Sequence, residues 1–332
     1  MRKARLTHLT MLAMLMVLMT SSSRHVITIF MIGDSTMANK PITNGNPERG
    51  WGMALQGFFK EGVRIDNHAV NGRSSKSFID EGRWDVVKER ITAGDYVVIQ
   101  FGHNDEKPDP KRHTDVGGSF DENLRKFVRE TREKGGKPIL MNAVARRNFI
   151  APTDGSAEDE SLRDSKYEQP VQEGNILIDT HGDYRFAPKN VAQEMNVPFV
   201  DANSITHDLE QGLGTERSKR LHMWFLPGEN PAVPEGRQDN THYSIYGAHV
   251  VAGLLADAIV NEVPSLRKYV RHYEYIVAAD GTGNYIDLQE AVNGAPMGKK
   301  TKILILNGEW SKPVIPKGKK IKYVLDSQAS FK

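Results

Sequence analysis

A serine placed directly after a strongly apolar segment is a candidate nucleophile because of its position in this chain. Residues 26–31 are apolar and β-branched, which predicts a buried strand, and Gly33-Asp34-Ser35 follows. Gly33 allows a sharp turn, and a side chain at such a strand end points from a rigid scaffold into a cleft. Ser35 is therefore a candidate nucleophile if a base lies near it. A helix cap formed by Asp34 and Ser35 is the alternative interpretation.

A histidine late in the chain has the neighbour that a general base needs. Asp239-Asn240-Thr241-His242 precedes a helical segment. An aspartate three residues before a histidine can fold back within one turn and hydrogen-bond the imidazole. That bond fixes the tautomer and leaves the other ring nitrogen to take the serine proton. The alternative is that His242 is only a residue at the start of the helix.

Two further segments can supply hydrogen-bond donors to a developing oxyanion. Residues 67–74 follow a second predicted strand, and Gly102-His103-Asn104-Asp105 follows a third. Acyl transfer needs donors aimed at the oxyanion, and the backbone N–H groups of Ser35 and Gly72 with the side-chain amide of Asn104 can provide three. Glycine suits this place because a side chain would crowd the substrate. For Asn104, an Asx-turn in a loop is the alternative.

The elements that must position these residues alternate between strand and helix. Strands are predicted at residues 26–31, 63–66, 95–101, 138–144 and 197–201. Helices are predicted at residues 51–60, 77–91, 120–134, 191–195 and 244–263. Such alternation indicates a parallel sheet covered on both faces, with reactive groups at the carboxyl ends of its strands. Residues 145–190 and 221–240 lack this periodicity and are predicted to be loops that shape a substrate cleft.

In order and strand-end placement, these motifs resemble those of the SGNH (GDSL) hydrolases. Over residues 26–262 the chain is more narrowly similar to the rhamnogalacturonan acetylesterases, in the motifs Gly33-Asp34-Ser35-Thr36-Met37-Ala38, Asn67-x-Ala69-x-x-Gly72-Arg73-Ser74, Phe101-Gly102-His103-Asn104-Asp105 and Asp239-x-Thr241-His242. The resemblance implies an α/β class fold, a three-layer α/β/α flavodoxin-like arrangement around a central parallel sheet of five strands. The pentapeptide Gly-x-Ser-x-Gly of the other serine-esterase fold is absent.

The same resemblance implies a role for each motif. Ser35 is the nucleophile, His242 the general base and acid, and Asp239 the residue that orients His242. Ser35, Gly72 and Asn104 form the oxyanion hole, and neither a metal nor an organic cofactor is needed. The implied reaction is the removal of acetyl groups from galacturonate in the rhamnogalacturonan backbone of pectin, through an acetyl-serine intermediate.

An anionic polymer substrate suggests candidates for substrate contact, because arginine binds carboxylates with a bidentate fork. Trp224, in the irregular stretch before the catalytic motif, can stack on a sugar ring. The candidates are Arg73, Arg146, Arg147, His181 and Trp224.

Composition and the N-terminus restrict the setting. The chain of 332 residues has a formal net charge of +2 and no cysteine, which gives no basis for a nucleic-acid partner and excludes disulfides. Three basic residues within the first five precede an apolar stretch at residues 9–19, and small polar residues follow. This pattern predicts a signal peptide over residues 1–23. Its apolar core is too short to span a bilayer comfortably. We expect a monomer, secreted to the periplasm or the extracellular space, with no membrane contact after cleavage.

The chain changes character after its predicted hydrolase domain, residues 24–268. Residues 269–332, here called the tail, contain Asp280-Gly281-Thr282-Gly283-Asn284-Tyr285 and resemble the opening of the pectin methylesterases, which are parallel β-helices. Only about one coil is present, and the family's catalytic residues have no counterpart. A single coil cannot bury its apolar face alone, so we expect an incomplete β-helix-like segment that is poorly ordered or loosely docked and lacks methylesterase activity.

Three alternatives to a rhamnogalacturonan acetylesterase stay open at this point. One is a broad-specificity esterase or lipase of the same fold, which would prefer long acyl chains. Another is the remnant of a bifunctional acetylesterase–pectin methylesterase. The third is a non-catalytic pectin-binding protein, which the full set of catalytic residue types disfavours.

Overall fold

The computed structural model describes residues 26–149 and 176–332. The predicted signal peptide lies outside these residues. The strands within them are β1 (Ile27–Gly33), β2 (Glu48–Arg49), β3 (Val63–Asn67), β4 (Tyr96–Gln100), β5 (Lys137–Met141), β6 (Phe199–Val200), β7 (Tyr243–Ser244), β8 (Tyr275–Val277), β9 (Lys300–Trp310) and β10 (Lys320–Phe331). The α-helices are α1 (Trp51–Ala54), α2 (Ser75–Asp80), α3 (Arg83–Lys88), α4 (Ser119–Glu133), α5 (Ala187–Met195), α6 (Ala202–Ser218), α7 (Ile245–Glu262) and α8 (Leu288–Gly294).

The central sheet has five parallel strands in the order β3-β1-β4-β5-β6. Side chains of β1 alternate between two buried clusters. Ile29 and Met31 pack on the face covered by α7, and Phe30 and Ile32 pack on the opposite face with α4. Because both faces are covered, the strand reads as one continuous apolar segment. The predicted three-layer α/β/α architecture with a five-stranded parallel sheet is confirmed.

Two predicted helices differ from those in the structure. The helix predicted over residues 77–91 is two short helices, α2 and α3, because Gly82 adopts a φ of +68° between them. A left-handed residue ends an α-helix, and glycine adopts that conformation at little cost. The helix predicted over residues 51–60 is α1 followed by a 3-10 turn at Leu55–Phe58.

Helix α6 was not predicted from the sequence. Its inward face carries buried polar side chains, among them Asn203, Thr206 and Glu210, instead of an apolar stripe. Its sequence also contains Gly212 and Gly214, and Gly214 departs from helical geometry at φ +73°. The helical periodicity of apolar residues, which is the usual signal, is therefore weak here.

The tail forms a small folded unit. Strands β8, β9 and β10 make a parallel sheet in the order β10-β9-β8. Helix α8 covers one face of this sheet with Leu288, Ala291 and Val292, which are buried among Ile303 and Ile305 of β9. The tail was expected to be poorly ordered or loosely docked, and this expectation is wrong for the structure. The helix supplies the cover that a lone coil would otherwise lack.

The tail is also fixed to the preceding domain. Nη1 of Arg271 lies 2.6 Å from Oδ2 of Asp326 in β10, and both side chains are largely buried. The backbone N–H of Arg271 donates to the carbonyl of Phe58 at 2.9 Å. Ile276 of β8 packs so closely on Gly57 that a Cβ there would lie 2.9 Å from its Cδ1. The packing of Ile276 on Gly57 and the hydrogen bond from Arg271 to Phe58 hold the junction. The ion pair with Asp326 lies within the tail and ties β10 to the segment that makes this hydrogen bond.

Candidate active site

The turn after β1 presents Ser35 at the carboxyl end of the central sheet. Gly33 packs against β4, and a Cβ at this position would lie 2.7 Å from the carbonyl oxygen of Gln100. The side chain of Asp34 accepts hydrogen bonds from the backbone N–H and the hydroxyl of Thr36, at 2.9 and 2.8 Å. These bonds hold a tight turn, and no helix begins there. The structure therefore does not support the helix-cap alternative for Ser35.

Ser35, His242 and Asp239 form one hydrogen-bonded line. Nε2 of His242 lies 2.9 Å from Oγ of Ser35, although the two residues are 207 positions apart. Nδ1 of His242 lies 2.9 Å from Oδ2 of Asp239. The other carboxylate oxygen of Asp239 accepts from the backbone N–H groups of Thr241 and His242, each at 2.9 Å. A buried carboxylate on Nδ1 favours the tautomer in which Nε2 accepts the serine proton.

The start of α7 positions the loop that carries His242. The hydroxyl of Ser244 accepts from the backbone N–H of Gly247 at 3.1 Å and caps the helix. A Cβ at Gly247 would lie only 1.8 Å from the carbonyl oxygen of Leu221. Glycine is therefore required for the helix to approach this segment so closely. His242 precedes the helix by three residues, so it is not part of its first turn.

A chain of charges continues outward from Asp239, and the sequence analysis did not identify it. Nη2 of Arg237 lies 2.5 Å from Oδ2 of Asp239, and Nη1 lies 3.0 Å from Oε2 of Glu48. The other oxygen of Glu48 lies 2.8 Å from Nζ of Lys40. The same Lys40 ammonium donates to Oδ1 of Asn71 at 2.7 Å. Asn71 precedes Gly72, so the chain joins the aspartate side of the site to the loop of the expected oxyanion hole.

These contacts set the ionisation of the two carboxylates. Burial by itself would raise the pKa of Asp239, but His242 and Arg237 outweigh it and hold this pKa well below its usual range. Burial also opposes ionisation of Glu48, yet Lys40, His242 and Arg237 lower its pKa to about 2. Both carboxylates are therefore charged at neutral pH.

The expected oxyanion-hole residues Gly72 and Asn104 lie on the loops that follow β3 and β4, the two strands that flank β1. Gly72 has a φ of +73° with open space around its Cβ position, so glycine is needed here for its backbone conformation. The N–H of Val70 donates to the carbonyl of Gly33 at 3.0 Å, which ties this loop beside the nucleophile turn. The amide of Asn104 donates one hydrogen bond to the carbonyl of Arg73 at 3.2 Å, which joins the two donor loops.

Asp105 anchors the second donor loop from inside the protein. It accepts hydrogen bonds from the backbone N–H and the hydroxyl of Ser75, at 2.9 and 2.5 Å, and from the hydroxyl of Thr114 at 3.0 Å. Burial raises the pKa of Asp105 to about 7, although these hydrogen bonds act in the opposite direction. Its position next to Asn104 fixes the loop without exposing a further charge to the cleft.

Three of the predicted substrate contacts, Arg146, Arg147 and His181, are held in hydrogen-bond networks within the protein. Nη2 of Arg146 pairs with Glu106 at 2.5 Å, and Nδ1 of His181 lies 2.8 Å from the other oxygen of that carboxylate. The side chain of His181 is fully buried. Burial would raise the pKa of Glu106, but Arg146 and His181 lower it to about 2.

Arg147 and Trp224 both bind the loop before His242. Arg147 is buried and donates to Oδ1 of Asn240 at 3.1 Å and to Oγ of Ser218 at 3.0 Å. Nε1 of Trp224 donates to the same oxygen of Asn240 at 3.0 Å. The guanidinium of Arg147 lies 4.8 Å from the Trp224 ring centroid. Arg147 therefore supports the loop before His242, and Trp224 is half-buried.

Arg73 keeps part of its side chain exposed. Its Nε donates to Glu81 at 3.0 Å, and the side chain is 33% exposed.

In the described residues, no group of three or more histidine, aspartate or glutamate side chains is arranged to hold a metal ion. No helix of these residues is long and apolar enough to cross a bilayer.

Residues 29–255 match the family described as GDSL-like lipase/acylhydrolase, which covers most of the chain. The chain belongs to this GDSL-like family. Its members are carboxylic ester hydrolases, and this chain is one. A rhamnogalacturonan acetylesterase of Bacillus subtilis (strain 168), RhgT, is 40% identical over 233 residues, which is 70% of this chain and 89% of the relative. The rhamnogalacturonan acetylesterase of Emericella nidulans is 27% identical over 250 residues, 70% of this chain and 84% of the relative.

A solved structure supports the fold of this GDSL-like hydrolase. The crystal structure of the protein YxiM from Bacillus subtilis has a TM-score of 0.55 to it at 23% identity. The similarity covers 72% of this chain and 58% of the YxiM chain. None of these similarities is to a pectin methylesterase.

Proposed function

We propose that this GDSL-like hydrolase is a rhamnogalacturonan acetylesterase that acts through Ser35. The observation that carries the proposal is a pair of hydrogen bonds. Oγ of Ser35 lies 2.9 Å from Nε2 of His242, and Nδ1 of His242 lies 2.9 Å from Oδ2 of Asp239. The line lies at the carboxyl end of the parallel sheet, where reactive groups of such folds collect. Two relatives named as rhamnogalacturonan acetylesterases support the choice of substrate.

The first half of the proposed reaction makes an acetyl-serine. Oγ of Ser35 attacks the acetyl carbonyl carbon while its proton passes to Nε2 of His242. The negative charge that develops on the carbonyl oxygen is stabilised by the backbone N–H groups of Ser35 and Gly72 and by the amide of Asn104. The bond between the acetyl carbon and the sugar oxygen then breaks, and His242 returns the proton to that oxygen.

The second half releases acetate. His242 takes a proton from a water molecule, whose oxygen attacks the acetyl-serine carbonyl. The same donors stabilise the second oxyanion, and the bond to Oγ of Ser35 breaks as His242 returns the proton. Asp239 stabilises the imidazolium in both halves, and Arg237 keeps this carboxylate ionised and oriented.

We propose Arg73 and Trp224 as the contacts that remain for the sugar side of the substrate. An acetyl group fills only a small space and offers few contacts. Discrimination between acetylated polymers must therefore come from contacts with their sugar units. Arg73 is adjacent to Gly72 and has an exposed fraction that can reach a galacturonate carboxylate. Trp224 lies on the Asn240 side of the site.

The setting of the enzyme is part of the same proposal. The basic and apolar N-terminus supports secretion, with cleavage near residue 23, and the mass of the mature protein tests this. We further propose a monomer, whose mass in solution light scattering would measure. The tail is proposed to be a pectin methylesterase-like coil without its own activity, so methylated pectin should release no methanol.

Acetate release from acetylated rhamnogalacturonan tests the function most directly. We expect turnover of this polymer to exceed that of acetylated xylan and of long-chain esters, and Ser35→Ala to lower kcat by at least about 1000-fold. Stronger hydrolysis of long acyl esters than of acetyl esters would favour a broad esterase or lipase. Unchanged acetate release by Ser35→Ala would disprove the catalytic role and favour a binding protein.

A further inference from the structure

The last part of the tail, residues 299–332, carries a strong positive charge that the net charge of the chain conceals. Residues 299–332 contain nine lysines, two carboxylates and no arginine, a formal charge of +7. The whole chain carries only +2, so residues 1–298 carry −5. Such an asymmetry between segments of one chain indicates an interaction surface for an anionic partner.

Four of these lysines are brought together by the register of the tail sheet. Lys300 pairs with Lys320 and Lys302 pairs with Lys322 across the parallel strands β9 and β10. Residues two apart on a strand share one face, and neighbouring strands lie about 4.8 Å apart. All four residues are exposed. They form a two-by-two array, here called the lysine patch.

In the part of the chain that the structure describes, the lysine patch has no ion-pair partner. Among the described residues, no carboxylate forms an ion pair with any of its four ammonium groups. Asp326, an acidic residue of β10, forms its ion pair with Arg271. Like charges directly opposite each other on adjacent strands destabilise a sheet. Two such pairs side by side are therefore unfavourable unless an anionic ligand occupies the array.

The face of the tail sheet that carries the lysine patch continues into apolar residues that pack at the junction with the hydrolase domain. Leu304 and Val324 follow it on the same face and pack with Ile276. Ile276 in turn contacts Gly57 of the hydrolase domain. The patch therefore lies on a surface held in a fixed relation to the hydrolase domain.

We propose that the lysine patch binds an anionic polysaccharide with carboxylates repeated along its chain. Four point charges in an array match several carboxylates of one extended polymer better than a single small anion. This inference rests on the proposed function, because the proposed substrate is such a polymer. Binding at the patch raises the effective concentration of the polymer at Ser35, as two linked binding sites do.

Polygalacturonate is the probe that tests the patch. The variant Lys300→Gln/Lys302→Gln/Lys320→Gln/Lys322→Gln is compared in a Ser35→Ala background, by titration calorimetry at low salt. We expect affinity to fall by about tenfold or more and its salt dependence to weaken, since each exposed ion pair contributes little alone. The matched control replaces four lysines of the hydrolase domain, Lys134, Lys137, Lys189 and Lys268, and should bind as the parent does.

Each outcome bears on the proposal. Unchanged affinity in the patch variant, or an equal loss in the control, would overturn it. Tighter binding of single-stranded DNA or of anionic phospholipid vesicles than of polygalacturonate would overturn the choice of polysaccharide.

Turnover measurements distinguish a failure of this proposal from a failure of the proposed function. With Ser35 intact, the patch variant should raise KM for the polymer and leave p-nitrophenyl acetate hydrolysis unchanged. Patch-dependent binding of polygalacturonate without acetate release from acetylated rhamnogalacturonan would retain the patch and reject the proposed acetylesterase function.

Discussion

The carboxylate of Asp239 contacts both His242 and Arg237, and its contact with Arg237 fixes its orientation. Arg237 lies 2.5 Å from Oδ2 of Asp239, the oxygen that His242 also contacts. Arg237 also helps to lower the pKa of this carboxyl against the effect of burial. Arg237 therefore acts as a positioning residue that keeps Asp239 ionised and directed at Nδ1 of His242.

Removal of the Arg237 charge should change the pH dependence of the enzyme. In Arg237→Gln the pKa of Asp239 rises, because one of the two groups that lower it is lost, so we expect the acidic limb of the kcat/KM profile to move to higher pH. Arg237→Lys keeps the charge and should keep the limb in place with a smaller loss of rate. Initial rates with a small acetyl ester across pH 4–9 measure both. An acidic limb at the same pH in Arg237→Gln would contradict this role.

At the scale of elements, α7 positions the active-site histidine through one close backbone contact. The helix starts three residues after His242 and is capped by Ser244. Gly247 allows its first turn to rest on the carbonyl of Leu221. Any side chain there must displace the helix or the segment below it. The position of His242 relative to Ser35 thus depends on a residue that touches neither.

Gly247→Ala should damage both stability and activity. A Cβ 1.8 Å from a backbone oxygen forces a shift, so we expect a loss of about 2–4 kcal/mol in the free energy of unfolding and a lower kcat. Gly212→Ala in α6 is the matched control, because its Cβ meets no atom within 4 Å. It should be neutral or slightly stabilising. Urea unfolding and acetyl-ester turnover measure both variants, and equal behaviour of the two would refute this account.

At the scale of the whole molecule, buried carboxylates with lowered pKa values link stability to pH. The pKa values of Glu48 and Glu106 are lowered from 4.5 to about 2. Such a group stabilises the folded state fully above pH 4.5, and its contribution is lost as the pH falls towards 2. Each shift corresponds to a contribution on the order of 3 kcal/mol. The folded protein should therefore lose stability steeply across this acidic window.

Glu106→Gln isolates one of these contributions. The variant leaves Arg146 and His181 without their carboxylate, so it should be less stable at pH 7 by about 3 kcal/mol. Its stability should then fall less between pH 4.5 and 2 than that of the parent. Free energies of unfolding in urea at pH 7, 4.5 and 3 measure this, with the exposed Glu262→Gln as control. A parallel decline of Glu106→Gln and the parent would rule out this linkage.

The sequence by itself determined the features that depend on local patterns. Apolar segments and the alternation of strand and helix were sufficient to predict the five-stranded parallel sheet. A strand that is buried on both faces is apolar along its whole length, so it is visible in the sequence. Residue type and spacing were sufficient to single out Ser35, Asp239 and His242. The spacing of Asp239 and His242 is itself local, since one turn of chain closes their contact.

Only the tertiary structure decided which charged side chains pair inside the protein. Arg237 meets Glu48 across 189 residues, and Arg146 meets Glu106 across 40, so no local pattern predicts either pair. Helix α6 escaped prediction because its inward side chains pair with polar partners contributed by distant segments. The hydroxyl of Thr206, for example, accepts from the backbone N–H of Ala145, 61 positions away. The tail folds because α8 and the hydrolase domain cover its sheet. In each case the partner is distant in sequence, and the stabilising contact exists only once the chain has folded.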